Sequence, residues 1–226
     1  NVSESTTTSA TTSARSKRNP ARTREAILQA ALDEFAQNGL GGARVDEIAR
    51  RSRVNKRMIY HYFGSKEGLY LAALERTYSE LRSAEQALQL EHFEPEAAMR
   101  RLVRMSFRFF ESHPHFISML NTENLHDARI LKTSEQIKAM HSPLVSMIDD
   151  VLTRGRQQGV MRGDVDPVQL YISIASLGYF YFSNNATLST IFDRDLRSSQ
   201  AMKQREEHVV EMVMSYLGVS DGAGEA

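Results

Sequence analysis

The sequence predicts an all-α protein, in which a small N-terminal unit of three helices precedes a larger helical bundle. Apolar residues recur at three- and four-residue spacing along most of the chain, and no segment keeps the alternation of a β-strand. Glycine, asparagine and proline stand where these periodic segments stop, which is typical of helix ends. The chain has 226 residues, of which 41% are hydrophobic and 25% charged, and is long enough to bury a substantial core.

Charge is divided unevenly between these two parts. The formal net charge is zero, but residues 1–66 hold 12 Lys and Arg against 6 Asp and Glu, whereas residues 67–226 hold 16 against 22. The N-terminal part is therefore basic and the C-terminal part acidic, a division that favours contact between the N-terminal part and a polyanion. The alternative is that the charge varies along the chain without serving a function.

The composition also bears on the compartment of the protein. Cysteine is absent, which excludes disulfide bonds and thiolate metal sites and is consistent with a reducing cytoplasm. Residues 1–26 contain no apolar run of the kind found in secretory signals. The longest apolar run, near Tyr171–Phe182, is too short to span a bilayer and predicts a buried helix. We therefore expect a cytoplasmic protein with no membrane partner.

The two ends of the chain have the composition of disordered segments. Residues 3–14 are almost entirely Ser, Thr and Ala, which cannot bury enough surface to offset the entropy of ordering. Residues 15–24, RSKRNPARTR, contain five cations and no acid. This segment is either a solvated tail or an arm that lies along phosphates or enters a minor groove. We predict a disordered arm over residues 1–21 and a flexible tail over residues 219–226.

The first two helices begin where the periodic pattern begins, at Arg22. The apolar positions of the first helix share one face, which consists of Ala26, Ile27, Ala30, Ala31, Phe35 and Ala36. Asn38-Gly39 is expected to end this helix, because glycine readily adopts the left-handed conformation of a helix C-terminus. The second helix is predicted over Val45–Arg51, where two acidic residues in the first turn suit the positive end of the helix dipole.

The third helix, Lys56–Phe63, forms a helix-turn-helix with the second, since a tight connection separates them. Asn55 is a favourable N-cap for this helix. On a helical wheel Ile59 and Phe63 point towards the apolar faces of the two earlier helices. The side chains that point away from the core are Arg57, Met58 and His61. Those that lie at its rims are Lys56, Tyr60 and Tyr62.

The rest of the chain is predicted to be helical throughout. The further predicted helices are Lys66–Leu90, Pro95–Ser112, His115–Asn121, Ser134–Gln158, Val168–Phe182 and Ser199–Leu217. Pro95 is tolerated in the first turn of its helix, whereas Pro143 is expected to kink the helix that contains it. Helices of this number and length are enough to form a bundle that follows the N-terminal unit.

Residues 23–70 resemble the DNA-binding domain of the TetR family of bacterial transcriptional regulators. The matching segments are REAILQAALDEFAQNGL, ARVDEIARRSRV and NKRMIYHYFGSKEGLY. The last segment is the most specific, because in the family a Tyr-x-x-Phe run ends the recognition helix and a Lys-Glu pair opens the fourth helix. Further along, Asn124–Phe192 is similar to a proteobacterial subgroup that includes regulators of pyrimidine and nicotinate catabolism.

The resemblance implies a homodimeric repressor that binds a double-stranded, palindromic DNA operator. It implies that the start of the third helix faces base edges, and that Tyr60, Tyr62 and Lys66 contact phosphates. Arginine and lysine can pair with guanine in the major groove, while hydroxyls and helix N-termini donate to phosphates. The residues predicted to bind DNA are Arg44, Val45, Asn55, Lys56, Arg57, Met58, Tyr60, His61, Tyr62 and Lys66.

Two positions depart from the family pattern. Arg53 stands where family members commonly have glycine, and Arg44 stands where they usually have threonine. A non-glycine residue in the left-handed conformation costs about 1 kcal/mol. Either the turn differs from that of the family, or Arg53 is strained for a reason, such as an added phosphate contact. We therefore divide the chain into a helix-turn-helix domain, residues 22–66, and a domain for ligand binding and dimerisation, residues 67–218.

The C-terminal helices predict a second copy of the chain as a partner. The helix Val168–Phe182 is apolar on all sides, and such a helix must be covered on every side. Together with the amphipathic last helix it could form a four-helix interface across a two-fold axis. The alternative is that this helix is buried completely within one chain.

The family further implies that a small-molecule effector binds in the C-terminal domain, such as a heteroaromatic or other small organic acid. An arginine there would suit a carboxylate, which it can bind through two hydrogen bonds. The alternative is that these polar side chains lie on the surface. The predicted ligand-binding residues are Arg104, Arg108, Asn121, Glu123, Asn124, His126, Tyr179 and Asn184.

Catalytic and metal-binding motifs are not found in the sequence. The chain has no G-x-S-x-G elbow, no glycine-rich phosphate loop and no H-E-x-x-H. His113-Pro114-His115 has the wrong spacing for two ligands on one helical face and is read as a helix terminus. We expect no enzyme activity, no cofactor and no metal. The alternative function is an all-α protein-interaction module without specific DNA binding, whose basic part meets an acidic protein or membrane surface.

Overall fold

The computed structural model describes residues 20–218, with the side chains of residues 141 and 142 excepted. This part of the chain contains eleven α-helices and no strand, which confirms the predicted all-α class. Within it, no helix combines the length and hydrophobicity needed to cross a membrane. The predicted tail, residues 219–226, and nearly all of the predicted arm lie outside the described residues.

Three helices form the N-terminal unit: α1 (Pro20–Gly42), α2 (Val45–Ser52) and α3 (Lys56–Phe63). Helix α1 begins two residues before the predicted start, because proline is favourable in a first turn. The backbone leaves helical geometry at Gly39, with φ 62° and ψ 179°, so the predicted stop is a kink after which one more turn follows.

Helix α4 (Lys66–Gln86) is followed by a short 3-10 turn at Leu90–His92 and by α5 (Pro95–Ser112). The predicted end of α4 at Leu90 is wrong by four residues. Gln89 takes up the left-handed conformation, with φ 49°, and this reverses the chain before the next helix. Pro95 occupies the first position of α5 as predicted.

The segment between α5 and the apolar helix differs most from the prediction. Helix α6 (Pro114–Leu125) is longer than predicted at both ends. The predicted helix Ser134–Gln158 is two helices, α7 (Glu135–Ala139) and α8 (His141–Gln157). Pro143 lies in the first turn of α8, where the missing N–H costs nothing, so it follows a break between helices and does not kink a continuous one.

The last three helices are α9 (Pro167–Ser183), α10 (Asn185–Ile191) and α11 (Ser199–Tyr216). Asp166 caps α9 by accepting from the backbone N–H groups of the second and third residues after it, at 2.8 and 2.9 Å. Helix α10 was not predicted, because its sequence NATLSTI is mostly polar and carries no apolar face.

Two apolar cores hold these helices together. The first unites α1, α2 and α3 with α4 and α6, and the second unites α5, α8, α9 and α11. At the centre of the first core Phe35 and Tyr70 meet edge to face, with ring centroids 5.0 Å apart. The N-terminal helices therefore share their core with helices of the C-terminal part, across the predicted domain boundary at residues 66 and 67.

Candidate nucleic-acid interface

Apolar side chains of α2 and α3 anchor the helix-turn-helix to the first core. Ile48 and Ile59 are fully buried and belong to the same core as Phe35. Asn55 caps α3, since its side chain accepts a hydrogen bond from the backbone N–H of Arg57 at 2.8 Å. The Asn55 side chain is thus hydrogen-bonded to its own helix. The face of α3 that lies opposite Ile59 is exposed to solvent.

The turn between the two helices contains a strained residue. Arg53 adopts the left-handed conformation, with φ 54° and ψ 33°, and its side chain is exposed. The turn closes by hydrogen bonds from the N–H of Arg53 to the carbonyl of Arg50, at 3.3 Å, and from the N–H of Val54 to the carbonyl of Ala49, at 3.2 Å. The glycine geometry of the turn is therefore retained with an arginine in its place.

The outer face of α3 carries the side chains that were predicted to point away from the core. Arg57 and His61 are exposed, and so are Met58 and Tyr60, with 38% and 40% of their surface accessible. Lys56 is also exposed, and its Nζ lies 2.9 Å from Asp46 of α2. The hydrogen bond to Asp46 raises the pKa of Lys56, which keeps this lysine charged.

The junction between α3 and α4 brings Lys66 beside the end of α1. Gly64 has φ 73°, and Ser65 caps α4 by accepting from the N–H of Gly68 at 3.0 Å. A Cβ at Gly68 would lie 2.2 Å from the carbonyl oxygen of Phe63, so only glycine allows this close approach. Lys66 Nζ then donates to the carbonyl oxygen of Gly41 at 3.3 Å.

A buried carboxylate holds the start of α2. Glu34 is 2% exposed and accepts a hydrogen bond from the backbone N–H of Arg44, the N-cap residue, at 3.0 Å. Arg51 lies 3.4 Å from the second oxygen of Glu34 and 2.9 Å from Glu47. Hydrogen bonds from Arg50 and Arg51 lower the pKa of Glu47 to about 2. Glu34 was not among the predicted site residues, although a carboxylate on an apolar helix face indicates such a role.

The surface around α2 and α3 carries the predicted DNA-binding residues, of which seven are exposed, two (Tyr62 and Lys66) are half-buried and one, Val45, is buried. Val45 is 7% exposed and packs into the first core, so its side chain faces inward and only its backbone is near the surface. Tyr62 is half-buried against the same core. Within residues 20–218, Arg44, Arg53 and Arg57 have no side-chain hydrogen bond or ion pair. With Lys56 and Lys66 they make this surface basic.

The predicted ligand-binding residues do not come together in one cavity. Arg104 and Arg108 line an open groove of about 540 Å³ between α4 and α5, where Arg108 lies 2.8 Å from Glu206 of α11. Tyr179 of α9 donates a hydrogen bond to Asn121 of α6. These residues are on helices whose packing partners the sequence did not reveal.

The remaining predicted ligand residues lie near the ends of α6 and α9. Glu123 is buried and accepts from the backbone N–H of Leu131 at 2.9 Å. Its neighbours Asn124 and His126 are exposed, because successive helical residues point in different directions. Asn184 turns back onto its own helix and donates to the carbonyl of Phe180 at 3.1 Å.

A charged pair on α4, which was not among the predicted site residues, is buried in the C-terminal part. Arg82 is 6% exposed and Glu85 is 2% exposed, and their charged groups lie 2.5 Å apart. Arg82 also donates to the hydroxyl of Tyr171 on α9 at 3.0 Å. Burial raises the pKa of Glu85 to about 7 in spite of the neighbouring guanidinium.

One side of the C-terminal part presents apolar residues to solvent. We call this side the α9/α11 face; its large exposed members are Val168, Ile172, Phe180, Met212 and Tyr216. A groove of about 530 Å³ runs between the two helices. A face of this kind, formed by two adjacent helices, is typical of a protein–protein interface.

The two histidines around Pro114 have structural partners. His113 stacks on Phe109 with ring centroids 3.9 Å apart, and His115 lies 3.0 Å from Asp33 of α1. Over the part of the chain that the structure describes, no three His, Cys, Asp or Glu side chains are placed to hold a metal ion.

Comparison with known proteins matches both parts of the chain to one family. Residues 27–73 match the model of bacterial regulatory proteins of the tetR family, and residues 95–213 match the model of the tetracyclin repressor-like C-terminal domain. The helix-turn-helix and most of the C-terminal bundle are therefore covered.

Individual proteins agree with this match. The chain is 39% identical over 180 residues to the HTH-type transcriptional repressor NicS of Pseudomonas putida, covering 80% of this chain and 85% of that protein. It is 28% identical over 193 residues to the HTH-type transcriptional regulator RutR of Escherichia coli K12, covering 84% and 88%. A putative transcriptional regulator of Streptomyces coelicolor, SCO4942, has a similar solved structure, with TM-score 0.65, 25% identity and coverage of 85% and 97%.

Proposed function

Because the chain belongs to the TetR family of helix-turn-helix transcriptional repressors, we propose that it represses transcription as a homodimer bound to a palindromic operator and that a small molecule releases it. It is a DNA-binding regulator and not an enzyme. The observation that carries the proposal is the outer face of α3, which is solvent-exposed while Ile59 anchors the helix from below. A cytoplasmic location would follow from binding to an operator on the bacterial chromosome.

In this proposal α3 enters the major groove and reads bases. Arg57 and Met58 lie at the exposed start of the helix, and His61 follows one turn later. Arginine can donate two hydrogen bonds to guanine, and a methionine can pack against a thymine methyl group. Lys56 would exchange its bond to Asp46 for a base or phosphate acceptor. Asn55 contributes by holding the first turn of the helix.

The remaining basic and hydroxyl groups would fix the position of α3 through phosphates. Tyr60 and Tyr62 lie on α3, and Lys66 lies in the first turn of α4, where backbone N–H groups also favour an anion. Arg44 stands at the N-terminus of α2, where the backbone N–H of Val45 would also face the DNA. We add Arg53 to this set, because its exposed side chain has no partner within residues 20–218.

The homodimer would form through the α9/α11 face. Phe180 is 56% exposed and Tyr216 is 49% exposed, although each lies on a helix that is otherwise packed into the second core. Covering this face with the same face of a second copy would give a closed, two-fold interface of four helices. Two copies of α3 are what a palindromic operator requires.

The effector would bind in the C-terminal part and act through α4. The polar residues predicted from the sequence remain candidates, and among them Arg104 and Arg108 offer cations to an acid in the α4/α5 groove. Helix α4 runs from Lys66 at the DNA surface to Gln86 beside this groove. An effector that binds the DNA-free arrangement more tightly would shift the population away from the operator-bound one.

A footprint on DNA flanking the gene tests the proposed function. We expect the wild-type protein to protect a palindromic segment at moderate salt, and the Arg57→Ala variant to lose roughly tenfold or more in affinity with relaxed sequence preference. Arg156→Ala, which removes an exposed arginine at the end of α8, is the matched control and should bind as the wild type does. Weak protection without sequence preference, removed by salt, would instead support a general interaction module.

A further inference from the structure

We propose that Arg82, Glu85 and Tyr171 form the receptor for the carboxylate of the effector, so that the ligand is an organic acid held on α4 itself. This inference rests on the proposed function, because it identifies the chemistry of the effector. Arg82 and Glu85 lie one turn apart on α4, and Tyr171 faces them from α9. We call these three residues the Arg82 site.

The three nitrogens of the Arg82 guanidinium differ in whether they have a hydrogen-bond partner. Its Nη1 donates to Glu85 at 2.5 Å, and its Nη2 donates to the Tyr171 hydroxyl at 3.0 Å. Its Nε is buried and has no hydrogen-bond partner. Nε and Nη2 form the edge of the guanidinium that matches both oxygens of a carboxylate, and this edge lacks an anion.

Tyr171 completes the site for an acid. Its oxygen accepts from Arg82, and its own hydroxyl proton has no acceptor among residues 20–218. A carboxylate on the free edge of Arg82 could therefore accept hydrogen bonds from Nε, from Nη2 and from Tyr171. Tyr171 is half-buried, whereas Arg82 is 6% exposed, and the guanidinium lies over the tyrosine ring at 5.6 Å from its centroid. An acid would reach the buried guanidinium from the side of this more exposed ring.

Stability alone does not account for these charges in the core. A buried donor without a partner is costly, and an apolar pair of similar volume is often as stable as a buried ion pair or more so. Arg82 Nε is such a donor. An acid that bonds to this atom would remove the cost, so the uncompensated group is an incomplete site that a ligand completes.

Glu85 allows a second negative charge to enter the site. Because burial raises the pKa of this carboxyl to about 7, it can take up a proton when another carboxylate arrives. The proton comes from solvent, and the site then holds one guanidinium and one carboxylate, as it did before binding. Tyr78, whose pKa burial raises to about 12, stays neutral beside Arg82 and Tyr171.

The location on α4 links the site to DNA. Residue 82 is 16 residues from Lys66, which corresponds to about 24 Å along a helix with a rise of 1.5 Å per residue. A change in the contact of Arg82 with α9 therefore acts on the helix whose other end carries a predicted phosphate contact. The α4/α5 groove lacks this burial, because Arg104 and Arg108 are exposed and their attraction for an acid is screened by water.

The experiment compares acids with the matching amides on the full-length protein. The probes are benzoate and hexanoate, with benzamide and hexanamide as neutral counterparts, and calorimetry measures binding. We expect at least one acid to bind and both amides to fail. The Arg82→Met/Glu85→Gln variant, which removes both charges and keeps the volume, should lose roughly tenfold or more in affinity for that acid. Glu85→Gln alone should bind it at least as tightly as the wild type.

A folding defect is separated from a binding defect in the same experiment. Circular dichroism and denaturant unfolding of each variant without acid report folding, and Arg82→Lys should restore part of the acid affinity, because it returns the charge without the planar edge. Three results would overturn the inference: no binding of either acid, equal acid affinity of the double variant, or loss of acid binding in Arg104→Met, which would assign the acid to the α4/α5 groove.

Failure of this inference and failure of the proposed function are distinguishable. If the wild-type protein binds the operator but acid binding does not depend on Arg82, only the inference about the Arg82 site is wrong. If the wild-type protein binds no operator in the absence of acid, the proposed function fails whatever calorimetry reports.

Discussion

Arg53 has a strained backbone conformation in the turn of the helix-turn-helix. It adopts φ 54° and ψ 33°, a region that side chains with a Cβ occupy at a cost of about 1 kcal/mol. Its side chain remains exposed, so no packing within residues 20–218 compensates for the strain. A contact that forms only on DNA would explain why arginine stands where family members have glycine.

Arg53→Gly should therefore separate stability from DNA affinity. We expect the free energy of unfolding to rise by up to about 1 kcal/mol, because glycine relieves the left-handed strain. Operator affinity should fall for all sequences alike, and the salt dependence of binding should decrease by about one released ion. Denaturant unfolding and anisotropy at several salt concentrations measure the two effects. A variant with unchanged salt dependence would show that Arg53 makes no phosphate contact.

Glu85 makes the stability of the protein depend on pH. Its pKa is raised from 4.5 to about 7 by burial, so the folded state holds a proton that the unfolded state has released between these values. The stabilisation from the protonated form is complete below pH 4.5 and is lost as pH rises through about 7.

The expected size of this effect is on the order of 1–3 kcal/mol between about pH 5 and about pH 8. Other groups also titrate, so the measurement is the difference between wild type and Glu85→Gln in denaturant unfolding at both values. The wild type should lose more stability than the variant as pH rises. Equal pH dependence in the two proteins would place the pKa of Glu85 in its ordinary range.

At the scale of the elements, the junction of α3 and α4 depends on a contact that a single methyl group would break. A Cβ at Gly68 would meet the carbonyl oxygen of Phe63 at 2.2 Å, and backbone cannot move aside as a flexible side chain can. We expect Gly68→Ala to lower the free energy of unfolding by about 1–3 kcal/mol and to weaken operator binding. Gly41→Ala is the control, since nothing lies within 4 Å of its new Cβ.

The sequence predicts elements well where a local signal ends them. Asn55 and Gly64 bound α3 at the predicted residues, because capping and left-handed conformations are local properties. Helix α10 could not be predicted, since its polar sequence has no apolar period. Pro143 was expected to bend a helix and instead lies in the first turn of α8. The start of α8 could not be predicted, because its N-cap residue, Met140, has no side chain that caps a helix.

The candidate sites could likewise be predicted only where a local pattern determines them. The outer face of α3 could be predicted, because one helical wheel decides which side chains oppose Ile59. The polar residues of the C-terminal part could not be grouped, because their proximity depends on which faces of α5, α6 and α9 meet. Arg82 and Glu85 were missed since two charges one turn apart usually mark a solvated face.

At the scale of the whole molecule, the α9/α11 face decides the number of copies that act together. Introducing charge there, as in Ile172→Glu with Phe180→Glu, should give a monomer at micromolar concentration, because two charges would be buried without partners. Sedimentation measures the state, and operator affinity should fall roughly tenfold or more with it. Leu125→Glu, at a residue 78% exposed on α6, should stay dimeric. A dimer in both variants would place the interface elsewhere.

The shared first core has a consequence for exchanging the helix-turn-helix between relatives. Helix α1 packs on α6 as well as on α2 and α4, and His115 of α6 pairs with Asp33 of α1. A chimera cut at residue 66 would therefore join a foreign α1 to a native α6 and leave mismatched apolar surfaces between them. Transplanting DNA specificity onto this scaffold would succeed by replacing the outer face of α3 alone.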